Sequence, residues 1–165
     1  FGKEDTLITI QIDMLLAEKF GMEYGDADGQ KKRPYIIHRT SMGCYERTLA
    51  YLLEEYAGAL PTWMAPEQVR ILTITSRVDD YAYDLKKKLS AMGFRAEVDD
   101  RNEKIGKKIR EGQLEKVPYM LVIGDKEAEA GQVAVRHRAD GDLGVMSAEE
   151  FTAVLKEVVD SKAKK

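Results

Sequence analysis

Cysteine and histidine are scarce in this sequence of 165 residues, which has one Cys, Cys44, and two His, His38 and His137. A single cysteine cannot close an internal disulfide, so a disulfide-stapled scaffold is excluded. A zinc site usually takes about three or four protein ligands, most often Cys and His side chains. Composition alone therefore predicts no metal site built within this chain, and it predicts that Cys44 is a small buried residue at the start of a helix.

Long apolar runs and a targeting segment are also lacking. The longest apolar stretches, such as residues 119–123, are far shorter than the roughly 20 residues that a membrane-spanning helix needs. The first five residues contain no apolar core of a signal peptide. We therefore expect a cytoplasmic protein that does not associate with membranes. Because the sequence begins with Phe1 and not with Met, we also expect it to start inside a longer chain.

An excess of charge of one sign is missing too. Lys and Arg number 26 against 29 Asp and Glu, a formal net charge of −3. Contact with nucleic acid would therefore need a local basic face. Residues 101–116 have that composition, with six basic and three acidic side chains. On charge pattern alone, a solvated helix face is the commoner explanation of such a segment and an RNA-binding face is the alternative.

Neither a glycine-rich phosphate loop nor a serine in a nucleophile elbow is present, so residue patterns alone do not identify an enzyme. What is present is an ordinary globular composition, with 44% hydrophobic and 33% charged residues. Taking about 150 residues as one domain, the length fits one domain plus a fragment.

The first 60 residues look like a piece of a larger antiparallel sheet. The predicted elements are strands over 6–13 and 33–39, a turn over 26–29, and a helix over 44–56. Two strands and a helix would be marginal alone in water. Pro61 and Pro66 frame a rigid connector, because each proline fixes its own φ and disfavours helix before it. We therefore predict two domains, residues 1–62 and 63–165.

Strands and helices alternate over residues 67–160, which is typical of an α/β domain with a mostly parallel sheet covered by helices. The predicted strands are 69–75, 94–98, 118–123 and 132–137, and the predicted helices are 79–92, 103–116 and one that begins with a capping box at Ser147. Because only a short connection precedes it, the strand over 132–137 is expected to run antiparallel to its predecessor.

Five motifs together resemble the threonyl-tRNA synthetases of bacteria, and the likeness extends along nearly the whole chain. They are residues 38–47 (HRTSMGCYER), 56–66 (YAGALPTWMAP), 99–106 (DDRNEKIG), 117–127 (VPYMLVIGDKE) and 141–144 (GDLG). The last three look like hallmarks of an anticodon-binding domain, which the class II synthetases for histidine, proline and glycine share. The resemblance implies the end of an antiparallel class II catalytic domain, with its motif 3, followed by a mixed, mostly parallel five-stranded anticodon-binding domain.

The resemblance assigns roles to four residues of the first region. Arg47 is implied to be the motif 3 arginine that contacts a phosphate of ATP, which enters with Mg²⁺ as substrate. Thr9 and Gln11 are implied to face threonine or its adenylate, and His38 to be one of three ligands of a zinc ion that reads threonine. Without the resemblance, Thr9 and Gln11 would be a solvated strand face and His38 a hydrogen-bonded residue.

In the second region, the resemblance implies that Asn102, Glu127 and Arg136 contact the anticodon, and that the helix face containing Lys107 and Arg110 contacts phosphates. Fixed amide, carboxylate and guanidinium groups suit this task, because anticodon bases are unstacked enough to be read at their edges. Ordinary structural roles are the alternatives: Asn102 could cap the following helix. Glu127 and Arg136 could pair across a hairpin.

By the same resemblance, the intact protein is a homodimer that activates threonine with ATP and transfers it to tRNA(Thr). Motifs 1 and 2 lie outside this sequence, so we expect the 165-residue chain to bind tRNA weakly, to be inactive, and to be a monomer or to associate through non-native contacts. Two other functions stay open. One is a stand-alone, non-catalytic RNA-binding module, and the other is an α/β domain that binds a small molecule and has no salt-dependent affinity for tRNA.

Overall fold

The structure, a computed structural model, describes residues 2, 4 and 6–163 of the chain. It contains two compact units, Phe1–Glu54 and Glu55–Lys165, which we call the first and second units. None of the helices in the described residues is long and apolar enough to cross a lipid bilayer. Each unit has its own strands and helices, and the two differ in how much apolar surface they bury.

The first unit consists of two small antiparallel sheets and two helices. Strand β1 pairs with β4, and β2 pairs with β3. The turn predicted between β2 and β3 is present, since the Gly29 amide donates to the Asp26 carbonyl (2.9 Å). The Asp13 carboxylate accepts from the amides of Leu15 and Leu16 (2.9 and 2.8 Å), which starts the first helix at the end of β1. The elements are β1 (Ile10–Asp13), α1 (Leu16–Lys19), β2 (Tyr24–Gly25), β3 (Lys31–Lys32), β4 (Ile36–Arg39) and α2 (Tyr45–Glu55).

Both predicted strands of this unit are shorter in the structure than the sequence pattern indicated. The prediction over 6–13 extended about four residues before β1, and the prediction over 33–39 included Pro34, which has no amide hydrogen to donate to a ladder. Cys44 was wrongly expected to be buried. It is exposed, directly before α2.

Almost none of the first unit's apolar surface is buried within the unit. Ala17 is the one buried hydrophobic residue in its described part. On the paired strands β1 and β4, Ile10, Ile12 and Ile37 share one face, and each is more than half exposed. The unit therefore presents an uncovered apolar sheet face.

The second unit has the predicted mixed five-stranded sheet with flanking helices. Its strand order is β6-β5-β7-β8-β9, with β5 parallel to β6 and β7. Strand β8 runs antiparallel to both of its neighbours, as predicted for residues 132–137. The elements are β5 (Val69–Thr73), a 3₁₀ turn (Ser76–Val78), α3 (Asp79–Ala91), β6 (Ala96–Asp99), α4 (Ile105–Leu114), β7 (Tyr119–Ile123), α5 (Asp125–Ala130), β8 (Gln132–His137), β9 (Gly141–Ser147) and α6 (Ala148–Asp160).

The two faces of this sheet have different environments because side chains alternate along each strand. One face forms the core, where Leu121 and Ile123 of β7 pack with Val133 and Val135 of β8 beneath α3 and α6. Helix α4 covers part of the other face. It approaches closely at Gly112, where an added Cβ would lie only 2.6 Å from the sulfur of Met120.

Beyond α4, part of the second face stays uncovered. Cross-strand pairing aligns Val122, Ala134 and Val145 in one row and places Arg136 opposite Asp142 in another. These five residues are partly or fully exposed, and we call them the open face. The fold therefore leaves an apolar row beside an arginine uncovered on this face of the sheet.

Candidate functional site

In the first unit, strand pairing brings two of the predicted site residues together. Gln11 on β1 lies directly opposite His38 on β4, so their side chains share a face of the sheet. Asp13 shares that face, with its carboxylate 3.7 Å from His38 Nε2. The amides of Leu16 and Leu15, and to a smaller degree His38, hold the pKa of Asp13 below its usual range. Three polar side chains, together with Ile36, therefore occupy the face opposite the one that bears Ile10, Ile12 and Ile37.

The other two predicted residues of this unit lie outside that strand pair. Thr9 is exposed immediately before β1. Arg47 lies in the first turn of α2, and its Nη1 donates to the carbonyl of Thr6 (2.7 Å). Glu46, beside it, accepts from the thiol of Cys44 (2.8 Å), and this hydrogen bond lowers the pKa of Glu46. Arg47 therefore lies at a helix N-terminus, an end of a helix that favours anions.

In the second unit, two of the predicted anticodon contacts lie at the same edge of the sheet. Asn102 follows β6 and Glu127 follows β7, at the carboxyl ends of strands that both run parallel to β5. Asn102 is exposed, in a tight turn in which the Glu103 amide donates to the Arg101 carbonyl (2.8 Å). It does not cap α4, because the N-cap residue is Lys104 and has no side-chain cap hydrogen bond. The capping alternative for Asn102 is therefore wrong.

Glu127 and Arg136 do not pair with each other. The Glu127 carboxylate accepts from the amide of Gly124 (2.9 Å) and so caps its own helix, α5. Arg136 faces Asp142 instead, with 3.4 Å between Nη1 and Oδ2. Among the described residues, its buried Nε atom has no hydrogen-bond partner. Arg136 is therefore a partly exposed guanidinium on the open face, with one long contact to Asp142.

Arg136 lies away from the edge where Asn102 is found. It pairs with Met120, and Met120 precedes the last residue of β7, Ile123, by three positions. At about 3.3 Å per residue, this is a separation of roughly 10 Å along the strand. The predicted contacts thus extend from the sheet edge onto the open face.

The basic face of α4 has one inward-pointing member. Lys107 and Arg110 are exposed and three residues apart, so they are neighbours on the helix surface. Lys107 forms an ion pair with Glu103 (2.6 Å) that raises the pKa of Lys107. No acidic side chain in the described ranges lies within ion-pair distance of Arg110. The expected phosphate-contacting face from 107 to 110 needs a correction at Lys108, which is only 1% exposed.

Lys108 belongs to a buried polar cluster that sequence reasoning missed. Its ammonium donates to the carbonyls of Thr73 (2.9 Å) and Asp99 (2.8 Å). The Asp99 carboxylate accepts from both Nε and Nη2 of Arg101 (2.9 and 2.7 Å), and Nη2 also donates to Glu111 (2.6 Å). Arg101 is the main reason that the pKa of Asp99 is lowered.

The sequence did contain a signal for the inward position of Lys108. It lies three residues after Ile105 and four before Gly112, on the stripe of α4 that faces the sheet. A lysine within such a stripe indicates a buried cation with a partner, which charge counting along the segment could not separate from its exposed neighbours.

The chain is similar to a known domain family and to curated proteins. Residues 68–158 match a family model described as an anticodon binding domain. A threonine–tRNA ligase of Clostridium perfringens strain 13 is 59% identical over 150 residues, which are 91% of this chain and 23% of the ligase. That of Clostridium botulinum strain Eklund 17B is 57% identical over 151 residues, 92% of this chain and 24% of the ligase.

A solved structure is similar as well. It is the RNA binding domain of the threonyl-tRNA synthetase of Cryptosporidium parvum Iowa II, with a TM-score of 0.78 and 33% identity over 94% of this chain and 40% of that one. The similarity therefore includes both units, and the chain spans about a quarter of the length of the curated relatives it matches.

Proposed function

Because this chain belongs to the anticodon binding domain family, we propose that its second unit recognises the anticodon of tRNA(Thr) as the C-terminal part of a threonine–tRNA ligase. One observation carries the proposal. Arg136 lies, partly exposed, on an uncovered face of the same sheet whose carboxyl edge bears Asn102 and Glu127.

The side chains of the second unit contact different parts of the RNA because their polar groups differ. Asn102 presents an amide with both donors and an acceptor, Glu127 presents acceptors and Arg136 presents donors, so base edges can be distinguished by hydrogen bonding. Lys107 and Arg110 contact phosphates, which positions the RNA without reading its sequence.

For the first unit, we propose that residues 1–62 form the end of a class II catalytic domain that includes motif 3, followed by the anticodon-binding domain over 63–165. Arg47 then contacts a phosphate of ATP, bound with Mg²⁺, and Thr9 and Gln11 contact threonine. The shared face of Gln11 and His38 supports this reading. The uncovered apolar face of β1 and β4 supports it too, because an isolated two-stranded piece needs a larger sheet around it.

A zinc ion is part of this proposal through one residue only. Within the described ranges, no group of three or more His, Cys, Asp or Glu side chains could hold a metal ion. His38 has a half-exposed imidazole, which is a common zinc ligand when neutral. We propose that His38 supplies one ligand and that the others come from the longer protein. When bound, zinc would act as a Lewis acid toward the amino and hydroxyl groups of threonine.

Binding of transcripts tests the function of the second unit. The 165-residue chain is titrated with tRNA(Thr) and with the same tRNA carrying an altered anticodon, each at two ionic strengths. We expect preference for the native anticodon, with an affinity that falls as salt rises because phosphate contacts release counterions. Equal affinity for the two transcripts would contradict anticodon recognition, and a salt-independent affinity would favour the small-molecule alternative.

Two further measurements separate a ligase fragment from a stand-alone RNA-binding module. We propose that the chain by itself is monomeric and cannot form threonyl-adenylate, whereas the longer protein is a cytoplasmic homodimer that can. Threonine-dependent pyrophosphate exchange should be absent from the 165-residue chain and present in the protein encoded by the whole reading frame. If the whole reading frame encodes only this chain, the stand-alone module is the correct function.

A further inference from the structure

We propose that Lys108 is a positioning residue for anticodon recognition, because it fixes the separation between Asn102 and Glu127. The inference rests on the function proposed for the second unit. A lysine side chain this deeply buried is rare unless its charge is paired. The ammonium of Lys108 donates to the Thr73 and Asp99 carbonyls and lies 3.8 Å from the Asp99 carboxylate.

The Lys108 ammonium connects the ends of β5 and β6 where the pairing of these two strands ends. The β5–β6 ladder stops at Leu72 opposite Asp99. Past this point, the Thr73 hydroxyl makes only a long contact with the Asp99 carbonyl (3.4 Å). Lys108 bridges the carbonyls of these same two residues with short hydrogen bonds, so it holds the two strand ends together.

From Asp99, the connection runs directly to Asn102. The Asp99 carboxylate accepts from the backbone amide of Arg101 (3.2 Å) as well as from its guanidinium. Glu111 holds the same guanidinium from α4. The residue before Asn102 is therefore anchored through both its main chain and its side chain, which restricts where the Asn102 amide can point.

From Thr73, a second connection runs to Glu127. The next residue, Ile74, donates its amide to the carbonyl of Ile123 at the end of β7 (3.0 Å). Gly124 follows, and its amide donates to the Glu127 carboxylate. Lys108 reinforces the connection between these two series of contacts. Losing its ammonium would remove a donor from the Thr73 carbonyl and leave the Asp99 carbonyl with only the long contact from the Thr73 hydroxyl, which would loosen the Asn102 turn relative to Glu127.

The test compares discrimination with overall affinity. In Lys108→Met, we expect the affinity ratio between native and altered-anticodon tRNA(Thr) to fall by roughly tenfold, with an unchanged dependence on salt, because specificity needs pre-organised groups and phosphate contacts do not. The matched variant Lys107→Met, one residue away but exposed, should weaken binding to both transcripts equally and reduce the salt dependence. If Lys108→Met retains the ratio of the unsubstituted chain, Lys108 has no positioning role.

A second variant covers the case in which Lys108→Met does not fold. Arg101→Gln removes the half-exposed guanidinium of the same cluster. It should lower the affinity ratio between native and altered-anticodon tRNA(Thr) without changing the salt dependence of binding. Hydrogen exchange at residues 100–104 should accelerate in parallel. A core variant of similar destabilisation, Leu155→Ala, should leave the ratio intact. A ratio lost equally in Leu155→Ala would overturn the proposal, whereas equal binding of both transcripts by the unsubstituted chain would instead overturn the proposed function.

Discussion

Both units of this chain contain strands in which apolar and polar residues alternate, but the second unit buries far more of its apolar side chains than the first. Ile10, Ile12 and Ile37 of the first unit lie on a strand pair and are mostly exposed, whereas Ile71 and Ile123 of the second unit are fully buried. Alternation of apolar and polar residues is therefore sufficient to form strands in both units. Among the described residues, only the second unit has helices that cover its sheet and complete a buried core. Burial of apolar surface therefore drives folding mainly in that unit.

Truncating an isoleucine in each unit tests this contrast most strongly. Ile71→Ala should destabilise the chain by about 2–5 kcal/mol, since it removes buried methyl groups and leaves a cavity. The equivalent change Ile10→Ala should shift stability by no more than about 0.5 kcal/mol. Denaturant unfolding provides both values when it is followed by fluorescence of the single Trp63 for the second unit and by circular dichroism for the whole chain. Equal losses would mean that the face bearing Ile10 is covered in solution.

Acidification should act next most strongly, through the buried cluster of the second unit. The pKa of Asp99 is lowered in the folded chain, mainly by Arg101, so its contribution to stability is present above its unfolded pKa of about 3.9 and is lost as pH falls through the folded value. Asp99→Asn should cost about 1–3 kcal/mol at pH 7 and flatten stability against pH below about 4. Urea unfolding from pH 2 to 7 measures this, and an unaltered pH profile would contradict it.

A smaller effect is expected from the capping box that begins α6. The Glu150 amide donates to Ser147 Oγ (3.1 Å), and the Ser147 amide donates to Glu150 (2.9 Å). Ser147→Ala should therefore destabilise the second unit by about 1 kcal/mol. The control is Ser90→Ala on the exposed surface of α3, which should be close to neutral. Thermal unfolding by circular dichroism compares the two, and a neutral Ser147→Ala would show that the cap is dispensable.

The smallest effect belongs to the hairpin turn of the first unit. Lys32 forms ion pairs with Asp26 and Asp28, all on the surface. Lys32→Met should leave the unfolding midpoint of the second unit unchanged, because exposed ion pairs contribute little to stability. It should only speed amide exchange at Gly29 and Gln30. Nuclear magnetic resonance exchange rates measure this change, and a shift in the unfolding midpoint would show that the two units are coupled.

Local patterns were sufficient to predict most of the second unit. The antiparallel direction of β8 followed from its short connection, and the start of α6 followed from Ser147 and Glu150. The residue pattern did not predict strand β9 or helix α5, although the family resemblance implied five strands. Strand β9 contains two glycines and lies largely exposed, and α5 has only six residues, so neither has a strong period.

The candidate site was harder to predict than the fold, because the position and contacts of each of its residues depend on partners far apart in sequence. The inward position of Lys108 depends on the ends of β5 and β6, and the partner of Arg136 depends on the register of β9. Periodicity along one segment carries no information on either. The resemblance identified which side chains belong to the candidate site, whereas the structure shows the contacts that hold those side chains in place.

A bulge in the sheet also disfavours aggregation of this chain with other copies. Between Val135 and Arg136 the register with β9 shifts, so that Leu143 is an extra residue on that strand. Strand β9 lies at the edge of the sheet, where one row of its main-chain groups has no neighbouring strand. A bulge bends and twists such an edge, which makes it a poor template for a strand from another molecule. The shift that places Asp142 opposite Arg136 therefore also discourages edge-to-edge aggregation.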